Sequence, residues 1–173
     1  MKKMFFVLFA MLIIALPNMR QASAQMPESL SFTMPEGIEP KFVQDYNYGS
    51  VIVTRFVLQG NSIDDWTEIF EIVNGLTINY PGTPKALYLN TIDKRKKRCS
   101  DSRFTIINEN ENSIIYEIIA KQCPSMPDEH SLNKVMYGNT NVFTLIYTNR
   151  NLKMSQKTRN NWLKVLSKAA IVQ

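Results

Sequence analysis

The sequence contains few of the residue types from which catalytic and metal sites are usually built. Its 173 residues include two cysteines, Cys99 and Cys123, and one histidine, His130. This set is too small for a four-ligand zinc site, and its spacing is not that of a zinc finger. Any triad that needs an imidazole would have to use His130. The composition therefore predicts no metal site and no cofactor.

The common signature motifs of enzymes and nucleotide-binding proteins are also missing. The chain has no G-x-S-x-G elbow, phosphate loop, dinucleotide fingerprint or EF-hand loop. It has no internal repeat, low-complexity tract or second-domain linker either. These absences argue against most familiar enzyme classes and favour one ordinary domain.

The longest apolar run is too short to cross a bilayer. It covers residues 4–16, which is 13 residues, whereas a transmembrane helix needs roughly 20. Lys2 and Lys3 precede this run, and the small residues Ala22-Ser23-Ala24 follow it, which is the pattern of a cleaved export signal. A retained anchor is the alternative. After cleavage no transmembrane segment is expected, and the protein would be periplasmic or secreted.

The predicted leader also accounts for much of the positive charge. The whole chain has a net charge of +5, but removing Lys2, Lys3 and Arg20 leaves 17 basic and 15 acidic residues, a net charge of +2. Such a balance does not indicate a general polyanion binder. The predicted organisation is a signal peptide over residues 1–24, an irregular N-terminal arm over 25–48 and a single domain over 49–173.

The rest of the chain alternates between β-rich runs and two helical segments. Thr83 and Pro84 predict a helix start, with the helix ending near Lys97, and a second helix follows Ser155. A short strand is expected near Leu30–Thr33. The longer predicted strands are Ser50–Leu58, Trp66–Val73, Phe104–Ile107, Ser113–Ala120, His130–Tyr137 and Val142–Thr148. The Trp66–Val73 run could also be a short helix, because short apolar runs are ambiguous. The order predicts an α+β fold, an antiparallel sheet of about six or seven strands covered by two helices.

One predicted hairpin places the two cysteines opposite each other. If the turn NENEN centres on Glu111, Phe104 faces Ile118, and apolar side chains meet on one side of the pair. The same register pairs Cys99 with Cys123, and an oxidising compartment favours a disulfide between them. The bridge would close a 25-residue loop, worth about 3 kcal/mol. A bulge would shift this register.

A run of five cations precedes Cys99 and is the first candidate contact site. It consists of Lys94, Arg95, Lys96, Lys97 and Arg98. Cations favour a helix C-terminus, so a solvated helix end is one interpretation, and contact with an anionic surface or glycan is another. Nucleic acid is not expected, because the protein is predicted to be exported and no stacking aromatics interleave with the run. Lys157, Lys164 and Lys168 of the last helix would extend this surface if they lay nearby.

Asp128, Glu129 and His130 form the second candidate site. Three consecutive titratable side chains could serve a small hydrolase, with His130 working beside Asp128 or Glu129. The simpler interpretation is a rigid connection between strands whose acids are solvated. No convergent nucleophile is identifiable from the sequence.

Two stretches resemble known families. SVIVTRFVLQGNSIDDWTEIFEIV looks like the opening of the PsbP-like α/β/α sandwich, and CPSMPDEHSLNKVMYGNTNVFTLIYT is similar to small exported proteins of Gram-negative bacteria. The matching positions are Cys123, Pro124, Pro127, Asp128, His130, Lys134, Gly138, Tyr147 and Thr148. Ser131 and the KRKKR run depart from that pattern. The resemblance implies a PsbP-like sandwich, which serves as a binding scaffold, and it implies no particular activity.

These observations leave three hypotheses for function. The first is an exported, non-catalytic binding protein that contacts another protein or an anionic surface. The second is the small exported hydrolase that uses His130. The third is a secreted effector that acts on a host cell.

Overall fold

The computed structural model describes residues 27–60, 62–124, 127–150, 152 and 154–173. The predicted signal peptide over residues 1–24 lies outside the described residues. The elements in chain order are β1 (Ser29–Ser31), β2 (Phe42–Asn47), β3 (Val51–Gly60), β4 (Trp66–Leu76), a 3-10 turn (Thr77–Asn79), α1 (Pro84–Lys96), β5 (Asp101–Glu109), β6 (Ser113–Lys121), β7 (Glu129–Tyr137), β8 (Asn141–Asn149), α2 (Gln156–Lys168) and β9 (Ala170–Val172). Trp66–Val73 is therefore a strand and not a helix.

Seven strands form one antiparallel sheet in the order β2-β3-β4-β8-β7-β6-β5. The pairing of β4 with β8 joins two sets of hairpin-connected strands into a continuous sheet. The short strands β1 and β9 pair separately. The predicted α+β class, strand number, two helices and disulfide are all confirmed.

Both helices begin where the sequence predicts, and each start has a side-chain cap. The Thr83 hydroxyl accepts a hydrogen bond from the backbone amide of Ala86, at 3.2 Å. Ser155 does the same for Thr158, at 3.0 Å. These hydroxyls satisfy amide groups that have no partner within the first turn of a helix.

The two helices lie on opposite faces of the sheet, as the alternation along β7 shows. Leu132 and Met136 share a core cluster with Trp162 and Leu166 of α2. Val135 points the other way and belongs to the cluster that contains Tyr88 of α1. Successive side chains of a strand point to opposite faces, so one strand supplies both layers. We call the two sides the α1 face and the α2 face.

The disulfide between Cys99 and Cys123 is confirmed, with a Cα–Cα distance of 4.2 Å. The predicted register is confirmed between Phe104 and Ile118 and between Ile106 and Tyr116. Nearer the turn the register shifts by one residue, because β5 carries an extra residue between Ile106 and Asn108. The bridge ties the end of α1 to the end of β6.

The segment over residues 25–48 is more ordered than the irregular arm that the sequence predicts. Within its described part it contributes β1 and the edge strand β2. The Glu28 carboxylate accepts hydrogen bonds from the backbone amides of Asn139, Thr140 and Asn141 in the β7–β8 turn. Burial alone raises the pKa of Glu28, but these hydrogen bonds outweigh it and lower the pKa. The N-terminal segment is therefore anchored to the sheet by a buried carboxylate.

Candidate functional site

A cleft of about 290 Å³ lies on the α1 face, between the helix and the sheet. Helix α1 packs against β5, β6 and β7, so it covers one end of this face and leaves β4 and β8 beside it open. Leu87, Thr91 and Arg95 form the helical wall, and Tyr80 closes one side. The cleft is thus a direct consequence of where a single helix crosses a seven-stranded sheet.

The floor of the cleft is unusually polar for the central strands of a sheet. Ser131 and Asn133 of β7 line it together with Thr144 and Thr148 of β8. Ser131 and Thr148 are directly opposite each other in the strand pairing, and the Asn133 amide donates to the Ser131 hydroxyl at 3.1 Å. Within the described residues, some buried side-chain nitrogen and oxygen atoms have no hydrogen-bond partner, but none of them belongs to these four side chains. Their polar atoms are therefore either hydrogen-bonded or accessible from the cleft.

A buried ion pair closes one end of the cleft. The Arg95 guanidinium of α1 lies 2.6 Å from the Glu129 carboxylate of β7, and the Glu129 side chain is only 11% exposed. Burial raises the pKa of Glu129 above its ordinary value, and Glu71 adds to that effect, while Arg95 and Arg150 oppose it. The pair connects the helix to the sheet at the point where the disulfide also anchors it.

A second ion pair lies on the neighbouring strands of the same face. The Arg55 guanidinium is 2.6 Å from the Glu71 carboxylate, and the guanidinium also lies 4.8 Å from the centre of the Tyr46 ring. Glu71 itself lines the cleft. Each of the two carboxylates that line the cleft therefore has an arginine partner within hydrogen-bonding distance.

Aromatic side chains form the remaining walls. Trp66 lines the cleft, and the Arg150 guanidinium stacks on its ring at 4.0 Å from the ring centre. Tyr80 lies directly over the backbone of Gly75, where a β-carbon would collide with the phenol ring. A glycine at this position of β4 is what allows Tyr80 to approach the sheet.

The predicted basic run is divided by the structure. Arg95 turns inward to Glu129, whereas Lys94, Lys96, Lys97 and Arg98 are exposed. Lys97 pairs with Asp93 at 2.6 Å, and the Lys96 ammonium lies 5.9 Å from the centre of the Phe104 ring. One member of the run thus belongs to the cleft, and the other four are exposed at the end of the helix.

The lysines of the last helix do not extend this basic surface. Lys157, Lys164 and Lys168 line a groove of about 650 Å³ between α2 and residues 31–36. Helix α2 is on the α2 face, so the thickness of the sheet separates these lysines from the exposed cations of α1. The condition for a common basic surface is therefore not met, because the two helices cover opposite sides.

The predicted trio Asp128, Glu129 and His130 does not converge. Glu129 faces the cleft, and His130, as the next residue of β7, points to the α2 face. There its Nε2 lies 2.7 Å from the Glu117 carboxylate, which also receives two hydrogen bonds from Arg159. The Asp128 carboxylate accepts from the backbone amide of Gln122. Because adjacent residues of a strand point to opposite faces, the side chains that the hydrolase hypothesis requires do not come together.

Sequence reasoning missed the polar floor and the role of Glu71. The signal was present in β7, where Ser131 and Asn133 alternate with Leu132, which indicates one polar face within a buried strand. Lys134 obscured that pattern because it lies on the apolar side. Its ammonium is satisfied there by the backbone carbonyl of Ala169, at 2.7 Å.

Comparison with known proteins gives no family assignment. No family model matches the chain, and no curated protein matches it. Within the described residues, no cluster of three or more His, Cys, Asp or Glu side chains is arranged to hold a metal ion. None of the helices in the described ranges is long and apolar enough to cross a membrane.

Proposed function

We propose that this chain is an exported, non-catalytic binding protein whose ligand site is the cleft beside α1. The cleft carries the proposal, because polar side chains from a helix and several strands converge there around a concave space. Ligand sites are typically concave, with a few placed polar groups among apolar walls. The only imidazole of the chain is engaged on the opposite face of the sheet, which supports binding over acid–base catalysis.

The sequence pattern of the leader and the disulfide support the exported part of the proposal. Disulfides persist in oxidising compartments, and Cys99 and Cys123 are both committed to one bridge. The sheet with one helix on each face also supports the proposal of a PsbP-like sandwich. Cell fractionation with N-terminal sequencing tests export. We expect the protein outside the cytoplasm and beginning at Gln25, and a cytoplasmic chain that starts at Met1 would contradict it.

A cleft-filling variant tests the site. Thr144→Phe places a ring on the floor between Val73 and Val135, its partners in the sheet. Thr105→Phe makes the same change at an exposed position of the edge strand β5 and is the matched control. Saturation-transfer NMR against a mixed library of sugars, amino acids and nucleotides should show ligands that bind wild type and Thr105→Phe.

The same ligands should lose their signals with Thr144→Phe. Far-UV circular dichroism of both variants should match wild type, which separates a filled cleft from a misfolded chain. If Thr144→Phe keeps every ligand, the cleft is not the binding site and the proposal fails.

A further inference from the structure

The charged side chains that line the cleft are already paired within the protein. Glu129 is paired with Arg95, and Glu71 is paired with Arg55, each at 2.6 Å. A charged ligand that paired with one of these groups would have to separate it from its partner and leave a partly buried charge, which is strongly unfavourable. A neutral ligand can accept or donate hydrogen bonds at the outer edges of both pairs without breaking them. The two ion pairs therefore disfavour ligands that would have to pair with the charged groups lining the cleft.

The uncharged polar groups of the floor suit a molecule that both donates and accepts hydrogen bonds. Ser131, Thr144 and Thr148 are hydroxyls, and Asn133 carries an amide. Each of these groups can donate and accept, so together they match adjacent hydroxyl groups on a ligand. An apolar ligand would leave these polar atoms without partners, at a cost for each one.

The aromatic walls and the size of the cleft restrict the class of ligand further. Trp66 and Tyr80 line the cleft, and aromatic side chains favour contact with C–H groups. The volume of about 290 Å³ is at the small end of ligand pockets, which span about 300–1,000 Å³. A ligand with hydroxyl groups along one edge and C–H groups on one face can form hydrogen bonds with the floor and pack against the aromatic walls.

From these three properties we infer that the cleft binds a neutral, polyhydroxylated ligand, a sugar residue of an uncharged glycan. The inference rests on the proposed function, because it names the class of ligand for the same site. Trp66 supplies an aromatic contact, and Asn133, Thr144 and Thr148 form hydrogen bonds with the hydroxyl groups. The ion pair Arg95–Glu129 closes the end of the cleft.

Matched oligosaccharides test the inference. A panel of neutral galactose, glucose and N-acetylglucosamine oligomers is compared with galacturonate and glucuronate oligomers, in which a carboxylate replaces the CH₂OH group. Isothermal titration calorimetry should detect at least one neutral oligomer, with its uronate counterpart at least tenfold weaker. The affinity of the neutral oligomer should be the same at low and high salt, because no ion pair forms on binding.

Tryptophan substitution locates the bound sugar. Trp66→Phe should weaken the neutral oligomer about tenfold or more, whereas Tyr48→Ala, which removes an exposed aromatic ring away from the cleft, should leave it unchanged. Trp162 is fully buried in the core, so a fluorescence change on binding to wild type reports on Trp66. The change should be absent in Trp66→Phe.

Three results would overturn the inference. These are tighter binding of the uronate, an affinity that falls with salt, and no binding of any neutral oligomer in the panel. If uronate binding is lost in Thr144→Phe, the cleft is the site and only the ligand class is wrong. If oligosaccharide binding is undiminished in Thr144→Phe, the proposed function itself fails, and the two failures are thereby distinguished.

Discussion

The two faces of the sheet are built from the same strands but are stabilised in different ways. On the α2 face, Trp162 is completely buried and stacks between Tyr147 and Phe70, with ring centres 4.4 and 5.0 Å away. On the α1 face, the buried anchors of the helix are Pro84 and Tyr88. Helix α2 therefore rests on a continuous apolar core, whereas α1 depends more on specific attachments.

Those attachments of α1 are covalent and ionic. The disulfide follows the end of the helix, and Arg95 reaches Glu129 one turn earlier. A longer apolar seam along α1 would have covered more of the α1 face. The comparison shows that a helix with few apolar anchors can be held in place while the sheet beside it remains open to a ligand.

The largest expected effect breaks the core of the α2 face. Trp162→Ala should lower the free energy of unfolding by about 4 kcal/mol, because it removes a fully buried ring and leaves a cavity. Tyr88→Ala on the α1 face should cost less, since the ring of Tyr88 makes one aromatic contact, with Tyr116 at 4.8 Å. Urea unfolding measures both.

If Trp162→Ala does not fold, Trp162→Phe, which removes less of the buried side chain, takes its place in the comparison with Tyr88→Ala. A greater loss from Tyr88→Ala than from either change at Trp162 would contradict the view that the α2 face is the stronger core.

The second prediction removes the covalent attachment of α1. Replacing Cys99 and Cys123 by alanine should lower the free energy of unfolding by about 3 kcal/mol, because the unfolded chain loses a cross-link that closes a long loop. Arg159→Ala removes the polar attachment of α2 to Glu117 and should cost only about 1 kcal/mol, since Glu117 keeps its hydrogen bond with His130. Thermal and urea unfolding test the order, and equal losses would contradict it.

The third prediction separates the members of the basic run. Arg95→Gln should lower the free energy of unfolding by about 2 kcal/mol, because it leaves the Glu129 carboxylate buried without its cation. Arg98→Gln, three residues on and exposed, should change stability by less than about 0.5 kcal/mol. The same two variants serve as each other's control in urea unfolding. Similar losses would mean that the Arg95–Glu129 pair does not attach the helix.

The smallest expected effect is a difference in pH dependence between the faces. The hydrogen bond with Arg159 lowers the pKa of Glu117 most, the contact with His130 adds to this, and burial opposes both. Ionised Glu117 therefore stabilises the folded state above its unfolded pKa, and this stabilisation is lost as pH falls through the folded pKa. Burial raises the pKa of Glu129. Protonated Glu129 therefore favours the folded state below its unfolded pKa, and this stabilisation is lost as pH rises through the folded pKa.

Glutamine variants measure these slopes. Glu117→Gln should flatten the loss of stability on acidification below about pH 4.5, and Glu129→Gln should flatten the loss as pH rises above about pH 4.5. Unfolding free energies over that range measure both. Slopes of the same sign for the two variants would contradict the assignment of opposite shifts.

Much of the α1 face could be predicted from local patterns. The register around Glu111 paired Phe104 with Ile118 and placed Cys99 opposite Cys123, because antiparallel pairing is set by a short turn and by apolar side chains on one side. The starts of both helices were equally local, since Thr83 and Ser155 cap amides only three residues away.

Elements stabilised by distant residues were harder to predict. Strand β2 has no strong apolar alternation of its own, and it forms because β3 offers it an edge. Strand β9 depends on pairing with β1 across the whole length of the domain. The Glu28 contact with the β7–β8 turn joins residues more than 100 positions apart. No local pattern contains such information.

The sequence by itself determined the six longer strands β3 to β8, the helix starts, the hairpin register and the pairing of the cysteines, because each depends on residues close together along the chain or on a simple periodicity. Only the tertiary structure decided which face each helix covers. That choice brought Arg95 out of the basic run to Glu129, placed His130 beside the Glu117–Arg159 pair and left the cleft open. The physical reason is that alternate residues of one strand serve opposite layers, so the partner of each side chain depends on how elements far apart in the chain pack together.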